Sequence, residues 1–199
     1  FVIQGSDLSK NKNTERLIKK GIKVYFGHNQ KNLRKTTMVV ISSAVKENNK
    51  ELLAAKNKKL PIFKRGEMLA NIVSLKKNIV IAGSHGKTTT TSLVANILVE
   101  AGLDPTVING GVINSLKNNA QLGRGEWAVI ESDESDGSFL KLPVTYSIVT
   151  NLDKEHLDFY GSFENLKKSF CTFIEKTPSF GKSLICIDNN NLKSLLSKC

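Results

Sequence analysis

The stretch Ile79-Val80-Ile81-Ala82-Gly83-Ser84-His85-Gly86-Lys87-Thr88-Thr89-Thr90-Thr91 decides how this chain is read. An apolar run suited to a buried strand enters a turn bounded by two glycines, and Gly-Lys-Thr then opens a helix. Gly83 and Gly86 let backbone N–H groups converge on an anion where a Cβ would obstruct them. The helix starting near Thr88 adds the positive end of its dipole. In such a loop Lys87 reaches the β- and γ-phosphates of a nucleotide, and the Thr88 hydroxyl ligates magnesium. Gly83, Ser84, His85, Gly86, Lys87, Thr88 and Thr89 are therefore the candidate ATP-binding residues. Leu93, Val94, Ile97, Leu98 and Ala101 predict one apolar stripe on the helix, which Gly102 stops. The common phosphate loop would place a glycine where Ile81 stands, so this is the shorter form Gly-x-x-Gly-Lys-Thr.

A metal-binding carboxylate should end a neighbouring strand. Trp127-Ala128-Val129-Ile130 supplies the strand and Glu131 the carboxylate, followed by Ser132-Asp133-Glu134-Ser135-Asp136. Gathering so many acidic and hydroxylic groups is costly unless cations or donors share the site, although a solvated acidic loop would read the same way. Beside a phosphate loop, Glu131 is expected to be a magnesium ligand. A third strand, Tyr146 to Leu152, leads into Asp153-Lys154-Glu155-His156-Leu157-Asp158. Magnesium prefers oxygen donors, so spacing alone does not assign His156.

Outside this region β-rich runs alternate with helical ones. Phe1 to Ile3, Lys23 to Phe26, Met38 to Ile41 and Pro61 to Phe63 read as strands. Thr14 to Lys20, Glu47 to Asn57 and Glu67 to Leu75 read as helices between them. This rhythm predicts an α/β chain with parallel sheets, which take ligands at the carboxyl ends of their strands. A boundary near residue 76 divides it into 1–76 and 77–199. Ser162 to Lys176 is expected as a helix capped by Ser162, and Ser183 to Asp188 as a last strand. The first unit shows no Gly-rich first turn, and the chain opens on Phe1 directly into a strand, so a lost beginning is expected.

The formal charge of +11 comes from 29 Lys and Arg against 18 Asp and Glu, and only 4 of the basic residues are Arg. Arg is the residue favoured for bidentate phosphate and base contacts, and no aromatic platforms are interleaved with the lysines. Together with 19 Asn, the Lys excess reads as compositional bias rather than a nucleic-acid surface. No apolar run approaches the roughly 20 residues of a membrane-spanning helix, so no membrane insertion is expected. Cys171, Cys186 and Cys199 are odd in number and far apart, which predicts neither a disulfide framework nor a zinc site and favours a reducing cytosol.

The loop Gly83 to Thr91, the run Glu131-Ser132-Asp133-Glu134-Ser135-Asp136-Gly137-Ser138-Phe139, and Thr150-Asn151-Leu152 with His156-Leu157-Asp158 together resemble the Mur ligases of peptidoglycan synthesis. Gly5-Ser6-Asp7-Leu8, Thr14-Glu15-Arg16-Leu17, Gly27-His28, Ser42-Ser43-Ala44 and Glu67-Met68-Leu69-Ala70 are similar too. The resemblance implies a Rossmann-like UDP-sugar domain over 1–76, lacking its first strand and Gly-rich turn. It implies a P-loop-type central ATPase domain over 77–199, cut short at its end, with an amino-acid-binding domain absent. Such a piece alone is expected to be inactive.

By the family's pattern Lys87 contacts the ATP phosphates, Thr88 and Glu131 hold one Mg2+, and His156 helps hold another. Lys87, Glu131 and His156 would be the catalytic set. Ser6, Asp7, Ser42 and Ser43 would lie by the UDP-sugar, and His85, Asn109, Gly110 and Gly111 near the muramate carboxylate. Relatives bridge their metals with a carbamylated lysine; no lysine here takes that place, where Ser169, Phe170 and Cys171 stand.

The implied reaction joins L-alanine to the lactyl carboxylate of UDP-N-acetylmuramate through an acyl phosphate, in the cytoplasm, with these small molecules as its partners. Two alternatives stay open: a ligase of the same family that attaches intact peptide, and a basic P-loop ATPase that binds nucleic acid. Folylpolyglutamate synthase shares the loop form, but its pattern lacks the acidic run.

Overall fold

The computed structural model describes residues 2–113, 118–196 and 199. Tertiary contacts divide the chain into two units, Phe1–Met68 and Leu69–Cys199.

The first unit opens with β1 (Gln4–Asp7), α1 (Lys12–Lys19) and β2 (Lys23–Phe26), followed by β3 (Val39–Ile41), α2 (Lys50–Asn57) and β4 (Ile62–Lys64). Phe1 lies outside the described residues, and the first strand runs over Gln4–Asp7 rather than ending at Ile3. The register explains the shift. Gln4 pairs with Lys23 and Asp7 with Phe26, and Gly27 N–H donates to the Asp7 carbonyl at 2.8 Å. Helix α1 starts earlier than Thr14 because Asn11 caps it, accepting from the N–H groups of Asn13 and Thr14 while Thr14 returns a bond to the cap. Helix α2 starts later than Glu47, at Lys50, because Asn49 is its cap. The strands form two separate parallel pairs, β1 with β2 and β3 with β4, rather than one continuous sheet. Leu33, Ala54 and Ala55 form a small core here, packed by Val39, Leu60 and Ile62.

Helix α3 (Arg65–Val73) spans the division between the units, and its last turns bring Leu69, Ala70 and Val73 into the core of the second unit. That unit continues with β5 (Lys77–Ala82), α4 (Lys87–Glu100), β6 (Thr106–Ile113), β7 (Asn118–Gln121), β8 (Trp127–Glu131), β9 (Tyr146–Val149), α5 (Leu157–Tyr160), α6 (Phe163–Glu175), β10 (Lys182–Ile185) and α7 (Asn190–Leu196). Six strands make one sheet in the order β10-β9-β5-β8-β6-β7, parallel except for β7. Central β5 is paired on both edges, so Val80, Ile81 and Ala82 are completely buried, as are Ala128, Val129 and Ile130 of β8. Phe139, Phe170 and Phe173 pack with ring centroids 5.3 to 5.4 Å apart and fill the core on one face.

Three expectations need correction here. On α4 the predicted apolar stripe is not the buried one, since Leu93 and Ile97 are exposed and the buried positions are Thr91 and Ala95. Small side chains face the sheet because the helix lies close over β6 and β8, and Ala95 packs on Val107. Strands β6 and β7 have no counterpart in the sequence reading. Finally, Cys171 and Cys199 are joined as a disulfide with their Cα atoms 5.5 Å apart, while Cys186 is free and exposed. A separation of 28 residues gives no sign of pairing. The two cysteines meet because Leu192 and Leu195 bury α7 in the same core as Phe170 and Phe173 of α6.

Candidate functional site

The carboxyl ends of β5, β6, β8 and β9 lie on one edge of the sheet, since these strands run parallel. Gly83 follows β5 with φ 136°, and a Cβ there would sit 2.1 Å from Thr150 Oγ1. Only glycine fits. Gly86, with φ 77°, is the residue before α4 and offers no side-chain cap, so the first-turn N–H groups of Lys87, Thr88 and Thr89 have no capping acceptor. The loop is held from the end of β9. Thr150 Oγ1 donates to the His85 carbonyl at 2.7 Å, and Asn151 Nδ2 does so at 2.9 Å. His85 N–H donates back to Asn151 Oδ1 at 2.7 Å, and Asp153 N–H donates to Ser84 Oγ at 2.9 Å. This clamp also explains why β9 stops at Val149 instead of Leu152: the following residues turn from the ladder to the loop.

Thr88 and Glu131 meet as expected. The Thr88 hydroxyl lies 3.0 and 3.1 Å from the two Glu131 oxygens, and Gly110 N–H donates to Glu131 Oε2 at 2.7 Å. Asn109 is buried next to Gly110 on β6, with Nδ2 at 3.5 Å from Ser92 Oγ, and its Oδ1 has no donor among the described residues. Gly111 follows in the same strand. This gathers an oxygen-rich pair beside the mouth of the loop, a donor set suited to a hard divalent cation.

Lys87 folds back across the loop to the acidic segment. Its Nζ donates to the carbonyls of Gly83 and Ser84 at 2.6 and 3.3 Å and to Glu134 Oε1 at 2.7 Å. Glu134 is 3% exposed, and burial pushes its carboxyl above the ordinary carboxylate range in spite of the Lys87 ammonium beside it. His156 stands before α5, and its Nε2 lies 3.8 Å from the same Glu134 oxygen. Among the described residues His156 therefore groups with Glu134 and Glu155 rather than with Thr88 and Glu131. His85 Nε2 is 3.5 Å from both Asp153 and Glu155.

The Tyr160 hydroxyl donates to the Glu134 carbonyl at 2.5 Å and fixes the acidic segment from below. Its phenol is pushed up to about 12, by burial first and then by the charges of Glu134, Asp136 and Asp133. Folding thus favours the protonated phenol. That contribution is whole below an ordinary value of 10.0 and is lost as pH rises toward about 12. Tyr160→Phe is expected to remove a late step from the phenolate absorbance titration. It should also cost about 1–2 kcal/mol in chemical denaturation, because a buried carbonyl loses its donor. A titration curve unchanged by the substitution would refute this.

In the first unit Ser6 and Asp7 lie at the carboxyl end of β1, and Ser42 and Ser43 follow β3. Ser6 Oγ donates to Glu51 Oε2 at 2.5 Å and lies 3.1 Å from His28 Nδ1. The Asp7 carboxyl is held below its usual range by the N–H of Ser9 and the amide of Asn11. Among the described residues β1 and β3 belong to separate two-stranded ladders, with Ser6 and Asp7 in one pair and Ser42 and Ser43 following the other. Sequence reasoning quoted Glu134, Thr150 and Asn151 only within motifs and gave none of them a role, and it passed over Tyr160. The composition of the acidic run was the one signal that pointed to Glu134.

A strand, a glycine-bounded loop on a helix N-terminus, and carboxylates at adjacent strand ends define an α/β protein whose loop has the form that suits a phosphate group. A family model described as the Mur ligase middle domain matches residues 81–199, and one described as Mur ligase family, catalytic domain, matches residues 1–77. The chain belongs to the Mur ligase family.

The UDP-N-acetylmuramate–L-alanine ligase of Pelagibacter ubique is 64% identical over 198 residues, covering 100% of this chain and 43% of that protein. Two crystal structures are similar to this chain. One is UDP-N-acetylmuramate:L-alanyl-gamma-D-glutamyl-meso-diaminopimelate ligase from Neisseria meningitides, with a TM-score of 0.88 at 27% identity over 98% of this chain and 67% of that one. The other is UDP-N-acetylmuramate-alanine ligase from Thermotoga maritima, with a TM-score of 0.86 at 28% identity over 96% and 45%. The chain spans about two fifths of the length of the curated relatives it matches.

Proposed function

We propose that this chain is part of an ATP-dependent ligase that joins L-alanine to the lactyl carboxylate of UDP-N-acetylmuramate in peptidoglycan synthesis. The observation that carries the reading is the 64% identity, along the whole chain, to a relative of that name. We assign residues 77–199 to ATP and residues 1–76 to the UDP-sugar, with Ser6, Asp7, Ser42 and Ser43 as its contacts and His85, Asn109, Gly110 and Gly111 near the muramate. The site chemistry supports this. A carboxylate that attacks the γ-phosphate must approach a group of its own charge; ADP leaves and an acyl phosphate forms, from which the amine of L-alanine, losing a proton, displaces inorganic phosphate to give the amide. Lys87 and the uncapped N-terminus of α4 offset that repulsion, and the loop backbone fixes the phosphates in line. The Thr88 hydroxyl and Glu131 carboxylate fit Mg2+, which when bound would neutralise phosphate charge. A protein nucleophile has no part in this scheme.

The test supplies the full-length gene product with ATP, UDP-N-acetylmuramate and each amino acid in turn, and follows phosphate release. L-Alanine is expected to give the largest release. Release no greater than in controls without amino acid would overturn the reading. One observation favours a second reading. The Neisseria enzyme that the fold matches is named for ligating a tripeptide, and greater release with L-alanyl-γ-D-glutamyl-meso-diaminopimelate than with L-alanine would establish that activity instead.

A further inference from the structure

Glu51 lies in the first turn of α2 and joins three segments at the carboxyl ends of the parallel strands β1 and β2. Its side chain is only 14% exposed, and both oxygens are filled. Oε1 accepts from the Asn29 N–H at 3.2 Å and from Asn32 Nδ2 at 2.6 Å. The Asn32 amide is held in that sense, because its nitrogen also donates to the Gly27 carbonyl at 3.1 Å. Oε2 receives the Ser6 hydroxyl at 2.5 Å. A carboxylate only accepts, so the single Ser6 proton is committed to it in a charge-assisted bond. Ser6 Oγ then has only lone pairs to offer His28 Nδ1, 3.1 Å away, and the ring must supply that proton. Nδ1 therefore carries the hydrogen, and in the uncharged ring Nε2 is an acceptor. Among the described residues no protein group bonds Nε2. The neighbouring Asp7 carboxyl is engaged by the Ser9 N–H and the Asn11 amide, each at 3.2 Å.

We infer that Glu51 is a positioning residue for the nucleoside half of the UDP-sugar. It sets the direction of the relay from His28 through Ser6 to its own carboxylate, so that His28 presents a lone pair to the ligand. The inference rests on the reading of residues 1–76 as the UDP-sugar unit, and the carboxyl ends of parallel strands are where such a ligand sits. The group recognised is a hydrogen-bond donor of the nucleoside, a ribose hydroxyl or the N3–H of uracil. Phosphate oxygens only accept and are not the partner of Nε2. Glu51→Gln exposes the order of the relay. The amide keeps its oxygen toward Asn29 and Asn32, which are both donors, and so turns its NH2 to Ser6. Ser6 then accepts from position 51 and gives its own proton to Nδ1. The ring proton moves to Nε2, where a donor would face a donor.

The test uses the full-length gene product labelled with 15N-histidine, at about pH 8.5, above the ordinary titration range of histidine. Loss of signals in His28→Gln assigns the ring. Without ligand, the wild type should show a protonated Nδ1 and a bare Nε2, and Glu51→Gln should show the reverse. A side chain with a merely structural role would not reverse them. Calorimetry then compares UDP with 2′-deoxy-UDP, 3′-deoxy-UDP and N3-methyl-UDP. One analogue should bind the wild type ~10-fold or more weakly than UDP, which tells hydroxyl from imide as the donor. In Glu51→Gln the affinity for UDP should fall ~10-fold or more, and that analogue should lose nothing further. If circular dichroism shows that Glu51→Gln does not fold, the wild-type tautomer and analogue series decide. A protonated Nε2 in the wild type, the same tautomer in folded Glu51→Gln, or equal analogue penalties in both proteins would overturn the inference. The expected tautomers without any UDP binding would overturn it together with the reading of residues 1–76. A failed L-alanine assay beside the expected tautomers and UDP pattern rejects the proposed reaction alone, and normal ligation beside a protonated Nε2 rejects this inference alone.

Discussion

Lys87→Ala is expected to abolish measurable ligation by the full-length gene product, a fall of roughly 10²–10³-fold or more in turnover. The reason lies in what the ammonium can reach. It sits at the turn between β5 and α4, 2.6 Å from the Gly83 carbonyl, and a change in side-chain torsions redirects it from Glu134 to an anion on the loop. The fold should survive the substitution. Removing the ammonium leaves the Glu134 carboxyl buried without its cation, which costs stability and is eased if the carboxyl, already pushed up by burial, takes a proton. Circular dichroism should therefore match the wild type, with a lowered midpoint in a thermal scan, while phosphate release disappears. Unchanged turnover would show that the loop does not bind the reacting phosphates.

Gly83→Ala is expected to have the second largest effect, and it should act on the fold and the site together. The new methyl would meet Thr150 Oγ1 at 2.1 Å and Asn151 O at 3.0 Å, at a φ of 136° that side chains rarely adopt. Relief requires the β9 clamp to move, which breaks the bonds that hold His85 in place. A loss of roughly 3 kcal/mol in denaturant unfolding is expected, with nucleotide affinity reduced about 10²-fold. Gly86→Ala makes the informative comparison. Its added Cβ meets nothing within 4 Å, so it should show only the smaller cost of a left-handed alanine. Equal effects from the two substitutions would contradict the clamp.

Much of the site was legible because its chemistry is written locally. A strand, two glycines and Gly86-Lys87-Thr88 occupy consecutive positions, and Glu131 closes a strand that pairs with β5 in register. Glu134 was less visible, since its importance arises from meeting Lys87 across 47 positions and His156 across a further loop. The clamp by Thr150 and Asn151 was hidden for the same reason. Helix α4 shows where periodicity misleads. Leucine and isoleucine mark the more hydrophobic stripe, but a helix lying close to a sheet needs the small side chains of Thr91 and Ala95. The disulfide depends on where α7 docks, which no local pattern encodes.

The bonds from Thr150, Asn151 and Asp153 to the loop have an entropic consequence. The phosphate-binding backbone does not have to find its shape when a nucleotide arrives, because β9 imposes it as the sheet forms. Ordering a free loop would cost about 1–2 kcal/mol per residue at the moment of binding. In this protein that cost falls on folding instead. The favourable energy of contacting phosphate is then left to distinguish one charge state of the nucleotide from another, as a preorganised receptor does.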